Sequence, residues 1–518
     1  MPSKEIVDHS WKESLLSFTH PRVVTMLFFG FAAGLPILLI FSSLSLWLRE
    51  AGVARSTVTF FSWAALGYSF KFVWAPLVDK LPIFYLTKKI GRRKSWILVS
   101  QIMVIAAIFW MAFTDPSKGE SYLHLMALAA VLLGFSSATQ DIVIDAYRIE
   151  SADSDLQAMM ASTYIAGYRI GMLAAGAGAL FIADFFGSDI QNYDYNAWKY
   201  SYLIMGLLML IGVATTLIIP EPEVAQDDSY SYSTKDYFSS FFLFLIAASV
   251  FSGIFYFSSD LASALKKSLN DVFINRHLSG FIVEVLRLVF ALSGASLIAY
   301  LIGSTSLLNK KMIKDTYVAP VKDFFDRYGI SLAILLLSLV GLYRISDIVL
   351  GVVSNLFYQD LGFSKTEIAS IVKTYGLFMT IGGGFLGGIL SFRYGVIKIL
   401  FAGALLSSVT NLLFMAMAHL GHNVFMLYVV ISADNLAAGL ASAAFVAFLS
   451  SLTNIKFTAV QYAVFSSIMT LLPKIFGGYS GTIVDNVGYE IFFLITALIG
   501  IPVLFLVWFA GKYLEVKQ

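Results

Sequence analysis

The sequence contains no cysteine, which excludes a disulfide framework, a thiolate metal site and a cysteine nucleophile, and leaves the redox compartment unmarked. Charge is scarce as well. Asp, Glu, Lys and Arg make up 13% of the 518 residues, about half the ~25% usual in soluble domains. So little charge cannot solvate the surface of a chain this long. The net charge of +2 supplies no field that would draw in nucleic acid or an acidic partner. Histidine is confined to His9, His20, His124, His277, His419 and His422, all in loops or at the ends of apolar runs. Neither a Ser-His-Asp arrangement nor a metal-ligand cluster is expected from them, no cofactor is called for, and a membrane enzyme is the poorer hypothesis.

What is present is apolar: hydrophobic residues reach 58% and mean hydropathy is +0.78. The apolar runs recur at a length of about 20 residues, which as helix rising ~1.5 Å per residue matches the ~30 Å hydrocarbon layer of a bilayer. An all-α integral membrane protein follows, with lipid as its first partner. Spans are expected near 24–48, 58–78, 95–114, 122–144, 158–186, 198–219, 237–257, 278–303, 330–358, 367–390, 397–419, 424–450, 458–483 and 491–511. The first follows a mixed polar and charged stretch, has full span length and lacks a small-residue cleavage site, so it is expected to be retained.

Fourteen spans put both termini on one side. Loops on that side hold 21 Lys and Arg against 7 on the other, and the positive-inside rule then sets both termini in the cytoplasm. The longest polar connections are an acidic linker, 220–236, and a basic segment, 309–327. They divide the chain into an N-terminal six-helix half (1–220), a linker with an inserted two-helix hairpin (221–329) and a C-terminal six-helix half (330–518). Segments 75–94 and 387–398 occupy matching places after the second and tenth spans, each a tight turn with Gly and Arg, a weak internal repeat.

Ionised side chains inside a span cost at least ~2.5 kcal/mol at the bilayer centre and so face a cavity or a partner. Arg169, Arg344 and Asp434 fall about 15 to 21 Å into their spans, near the midplane. Lys373 and Lys474 sit toward one end, and Lys71, Asp141 and Asp145 toward the terminus-bearing end. Arg344 and Asp347, three apart on one helical face, are spaced for a local ion pair, as are Glu284 and Arg287 in the hairpin. Arg169, Lys373 and Lys474 have no opposite charge within one turn; each either faces a solute cavity or pairs inside the bundle, with Asp434 or a backbone carbonyl. The cationic excess among deep charges favours an anionic solute. Carboxylates are natural proton carriers, which makes Asp434, Asp141 and Asp145 coupling candidates. The glycine-rich stretches 171–178 and 382–388 read as faces for close helix contact, and Tyr68, Trp74, Tyr164, Tyr168, Tyr343 and Tyr375 lie beside the charged positions.

The segments GFAAGLP (Gly30 to Pro36), FKFVWAPLVD (Phe70 to Asp79), GRRKSW (Gly91 to Trp96), SSATQDIVIDAYR (Ser136 to Arg148) and GYRIGML (Gly167 to Leu173) resemble the AmpG-type muropeptide permeases of the major facilitator superfamily. LYRISD (Leu342 to Asp347), VKTYGL (Val372 to Leu377), DNLAAGLASAAFVAFL (Asp434 to Leu449) and FTAVQYAVFSS (Phe457 to Ser467) extend the likeness through the second half in the same order. The resemblance implies a major facilitator fold with two extra helices between the halves. It also implies proton-coupled import of N-acetylglucosaminyl-anhydromuramoyl peptides from periplasm to cytoplasm across the bacterial inner membrane, by a protein working as a monomer. Arg169, Arg344, Lys373 and Lys474 would then meet the stem-peptide carboxylates, with Gln140, Tyr168, Tyr343, Tyr375 and Asn435 completing the solute site. Asp141, Asp145, Asp347 and Asp434 would serve coupling, and Asp79 with Arg92 or Arg93 the gating loop. Asp434 and Lys474 stand where the family often has Glu and Arg, keeping the charge sign while changing reach. The rival readings are a facilitator for another anionic solute, such as acetyl-coenzyme A or a siderophore, and a membrane sensor that does not transport.

Overall fold

The computed structural model describes residues 10–54, 61, 68, 70–189, 191–223, 232–272, 276–305, 308–477 and 480–517. Among them, twelve helices are long and apolar enough to cross a membrane, and they fall on twelve of the fourteen expected spans. The expected span 58–78 lies largely outside the described residues. The one expected at 458–483 is a helix over Thr458–Gly477 whose apolar part is shorter. The protein is a multi-pass membrane protein.

In chain order the helices that matter below are α1 (Trp11–Leu16), α2 (Pro21–Ile40), α3 (Ser42–Glu50), α4 (Arg92–Ala112), α5 (Glu120–Ser151), α6 (Gln157–Leu173) and α7 (Tyr195–Leu208). Next come α8 (Thr234–Phe257), α9 (Ser259–Val272), α10 (Arg276–Gly303), α11 (Lys310–Ile313) and α12 (Ala319–Tyr328). The remainder are α13 (Ile330–Leu342), α14 (Ile345–Asp360), α15 (Gly376–Tyr394), α16 (Val396–Leu420), α17 (Val424–Leu452), α18 (Thr458–Gly477) and α19 (Ser480–Lys517). Polar side chains set several starts: Ser10 and Glu13 form a reciprocal capping box on α1, Ser233 and Asp236 do so on α8, and Asn423 accepts from Met426 N–H on α17. Gly395, at φ 90°, makes the turn between α15 and α16 that a side chain would strain.

Among the described residues several spans are interrupted, the sixth at Met209 for instance. The first divides at Phe41 into α2 and α3, and the ninth divides at Tyr343 and Arg344 into α13 and α14. Arg344 therefore occupies the helix break instead of a continuous turn, within the span expected near 330–358. A π-helical segment, Ile368–Tyr375, carries Lys373 into α15; such segments are commonest at functional sites.

By its contacts the chain divides into two units, residues 1–225 with 328–518, and residues 226–327. Within the first unit, small residues let backbones touch. A Cβ on Gly30 or Gly34 of α2 would sit 2.1 Å from the carbonyl of Tyr164 or Tyr168, and one on Gly167 or Gly171 of α6 would meet the carbonyl of Leu27 or Phe31. In the C-terminal half Gly383 and Gly387 of α15 press on the carbonyls of Leu436 and Leu440 in the same way, and Gly439 of α17 presses back on Thr380. The stretches read as close-contact faces thus bind α2 to α6 and α15 to α17. Those crossings fix the helices that carry Arg169 and Asp434.

The second unit is a hairpin, with α8 packed on α10 and joined to it by the amphipathic α9. Arg287 on α10 donates to the Phe255 carbonyl and to Ser258, with its guanidinium over the Phe255 ring. The Glu284 side chain, read as its partner, lies outside the described residues.

Candidate functional site

The two halves of the first unit meet at the end that bears the termini. Phe18, preceding α2, packs edge-on against Phe385 of α15 at 5.0 Å between centroids. Gly388 of α15 faces Ser162 of α6, and Gly511 near the C-terminus faces Ile397 just past the α15–α16 turn. At this end Arg148 of α5 is fully buried and reaches across: Nη1 donates to Ser450 Oγ of α17 at 2.8 Å and the guanidinium lies over the ring of Tyr462 on α18. Its Nη2 donates to Asp145 Oδ1 at 3.3 Å, and the other Asp145 oxygen is 3.8 Å from Lys71 Nζ. Asp145, read as a coupling candidate, is therefore held between two cations.

A fourth span ending near residue 144 would leave Arg148 in a loop. The helix instead runs to Ser151 with Asp145, Tyr147 and Arg148 all buried. The polarity of that last stretch reflects contact with the other half, which one sequence window cannot separate from contact with water.

One layer beneath, Asp79 and Arg93 form a buried ion pair at 2.7 Å. Arg93 Nε also donates to Glu150 Oε2 at 2.9 Å, while Arg92 donates to the Asp79 carbonyl at 3.0 Å. Glu150 and Glu221 are the members that sequence reading did not name. Glu221 in the linker accepts from the backbone N–H of Arg93 at 2.7 Å and of Lys94 at 3.0 Å, capping the exposed donors of the α4 N-terminus. Burial nevertheless pushes the Glu221 carboxyl above the ordinary glutamate range.

Deeper in the bundle the charges separate by whether they are paired. Arg344 Nε lies 2.9 Å from Asp347 Oδ2 and the same guanidinium donates to Ser442 of α17. Asp434 faces Arg344, Asp347 and Thr410. Arg169 of α6 is half-buried, has no ion-pair or hydrogen-bond partner among the described residues, and feels the charge of Arg344 from the opposite half. Asp141 is buried near Lys71, Asp145 and Tyr164, with Oδ1 unpartnered. Next to it Gln140 is fully buried with neither amide atom hydrogen-bonded. Tyr164 and Tyr168 stack obliquely at 6.2 Å beside Arg169.

The remaining named residues are distributed differently. Lys373 is exposed on its π-helical segment with no ion pair among the described residues. The Lys474 side chain lies outside the described residues. Tyr375 shares a hydrogen bond with Ser432 at 2.8 Å, and Asn435 accepts from Thr380 at 2.8 Å while donating to the Ile431 carbonyl. Tyr343 is buried, donates to the Leu400 carbonyl and stacks on Phe445 at 4.3 Å, so its ring is engaged in core packing. Among the described residues no His or carboxylate cluster is arranged to hold a metal.

The arrangement is two helical halves with Arg169 of one half near the ion-paired Arg344 of the other, and interlocking contacts at one end. An Escherichia coli K12 anhydromuropeptide permease is 27% identical over 96% of this chain and 81% of its own length. A Rickettsia felis protein described as a transporter, AmpG 4, is 28% identical over 96% of this chain and 99% of its own. Among solved structures, a proton:xylose symporter, XylE, bound to a bromodeoxyglucose matches at a TM-score of 0.58 and 13% identity, covering 96% of each chain. The fucose transporter FucP in its outward conformation matches at 0.55 and 14%, covering 95% of this chain and 99% of that one. The family model described as Major Facilitator Superfamily matches residues 23–342 and 335–517, and this chain belongs to that superfamily.

Proposed function

We propose that the protein is an anhydromuropeptide permease of the bacterial inner membrane, importing the solute by alternating access and driven by protons. The observation that carries the reading is the pair of guanidinium groups, Arg169 and Arg344, brought toward each other from opposite halves. Asp347 offsets Arg344, while Arg169 has no carboxylate partner among the described residues. A solute carboxylate supplies the missing charge, and two planar donors suit it better than ammonium groups would. The near-full-length relatives named for anhydromuropeptides fit that chemistry, since stem peptides are carboxylate-rich and the disaccharide offers faces to Tyr164 and Tyr168.

Protons enter through carboxylates that no cation holds tightly. Asp145 and Asp347 are each engaged by cations, Asp145 by Lys71 and Arg148 and Asp347 by Arg344. Asp141 and Asp434, one in each half, have no ion pair among the described residues and are the proposed carriers. In this reading the cytoplasmic end is the one bearing the termini, sealed in this conformation by Arg148, Ser450 and Tyr462, while residues 1–220 rock against 330–511. Lys373, exposed on its π-helical segment, guides the anionic solute inward.

The test is uptake competition in proteoliposomes, with labelled anhydromuropeptide challenged by unlabelled muropeptide, acetyl-coenzyme A or a siderophore. Only the muropeptide should compete, and Asp141→Asn and Asp434→Asn should each abolish accumulation while sparing binding. Equal competition by acetyl-coenzyme A would transfer the assignment to another anion.

A further inference from the structure

Between the last span of the hairpin unit and the span that starts at Ile330, residues 310–328 form one continuous helical segment, α11, a π-helical turn over Lys314–Val318, and α12. Asn309 caps it, accepting from the N–H groups of Lys311 and Met312. Its burial repeats every four residues: Leu308, Met312, Thr316, Pro320 and Phe324 are buried. That face is already covered within the unit, where Ser240 of α8 donates to the Met312 sulfur.

The opposite face is exposed and mainly basic and apolar until Asp326 at its far end. Lys310, Lys311, Lys314, Val318, Val321 and Lys322 all lie open, and none of these four lysines is in an ion pair among the described residues. The acids nearby are otherwise engaged: Asp315 accepts from Tyr232 at 2.6 Å, and Asp323 pairs with Arg327 at 2.9 Å. Asp326 is exposed at the far end. The exposed stripe thus combines four unneutralised ammonium groups with two apolar side chains.

We infer that this stripe docks on anionic lipid headgroups, lying in the membrane interface with Val318 and Val321 turned to the acyl boundary. Charge complementarity points to lipid, because the segment leaves one membrane span and enters another within a short stretch of chain, which holds it beside the bilayer surface. Lysine stems cover apolar surface while their ammonium groups reach the phosphates. Basic clusters flanking a span and amphipathic helices with a lysine-rich polar face both bind anionic bilayers in a salt-dependent way. This inference does not depend on which solute the protein carries.

The absence of native cysteine makes the test direct. Val318→Cys, and separately Val321→Cys, is labelled with an environment-sensitive fluorophore, and the full-length protein is placed in nanodiscs of phosphatidylcholine alone or with phosphatidylglycerol. The expected result is a blue shift with phosphatidylglycerol that is reversed by high salt. It should be lost when Lys310, Lys311, Lys314 and Lys322 are changed together to Gln, and kept when they are changed to Arg. Emission that is the same in both bilayers, or a shift that survives the Gln substitutions, would overturn the inference. So would the same shift on adding inorganic phosphate or a soluble polyglutamate to phosphatidylcholine discs, which would assign the stripe to a free anion or to an acidic protein.

Discussion

Arg148 of the N-terminal half donates to Ser450 of the C-terminal half across 2.8 Å, so one buried guanidinium spans the seam along which the halves part in the proposed cycle. A hydrogen bond to a charged donor contributes roughly 1.5 to 3 kcal/mol. Removing it should therefore change the ratio of closed to open forms at this end about tenfold or more.

The corresponding prediction uses Asp153→Cys with Ser451→Cys as a spin-labelled pair on exposed positions of the two halves. Ser450→Ala should lengthen the distance distribution. Arg148→Ala should lengthen it further, since Tyr462 then loses its cation. Identical distributions in both variants would show that Arg148 is only a packing residue.

Arg169 should behave as a solute contact. Loss of a charge-assisted interaction of roughly 1.5 to 3 kcal/mol predicts that Arg169→Ala raises KM for uptake about 10- to 100-fold, with partial recovery in Arg169→Lys. An unchanged KM with lowered kcat would move Arg169 from binding to conformational coupling.

How these residues became visible differs. The deep charges Arg169, Arg344 and Asp434 stood out in the sequence because each interrupts an apolar run, and the cost of burying charge makes such interruptions informative. Fold class and superfamily were legible for a related reason: span-length apolar runs and ordered motifs need no tertiary knowledge. Arg148 and Glu150 sit where a span appeared to dissolve into loop, and their partners Ser450, Tyr462 and Arg93 are distant in sequence. Tyr343 shows the converse. Adjacency to Arg344 suggested solute stacking, while the helix break at that point turns the ring into the core against Phe445. Glu221 is exposed to the same difficulty as Glu150, because a linker glutamate gives no sign that it caps a helix over a hundred residues earlier.

The α2–α6 crossing should tolerate no side chain. A Cβ at position 34 would lie 2.1 Å from the Tyr168 carbonyl, and backbone has little room to yield. Gly34→Ala should cost roughly 1 to 3 kcal/mol by overpacking, seen as a lower thermal unfolding midpoint in detergent and as reduced uptake through displacement of Arg169. Unaltered stability would mean the helices separate freely there.

Glu221 gives a pH signature. Its folded carboxyl titrates above the ordinary glutamate range because burial outweighs the two backbone donors and Arg93. The folded state therefore holds this proton more tightly than the unfolded state. The contribution is fully present below the unfolded pKa and is lost as pH rises through the raised folded value. Glu221→Gln should remove that part of the pH dependence of thermal stability in the window between the two, while losing one of the two backbone acceptors. A wild-type profile that falls on acidification through that window, with Glu221→Gln following the same course, would contradict the assignment.

The central claim is that fixed cations between two rocking halves import anhydromuropeptide at the expense of a proton gradient. It is tested most directly by uptake of radiolabelled anhydromuropeptide into proteoliposomes with an inward proton gradient, with and without a protonophore. The account predicts accumulation above equilibrium that the protonophore abolishes. No uptake by folded protein in the correct orientation would leave the superfamily in place and contradict the solute assignment; uptake indifferent to the protonophore would contradict proton coupling.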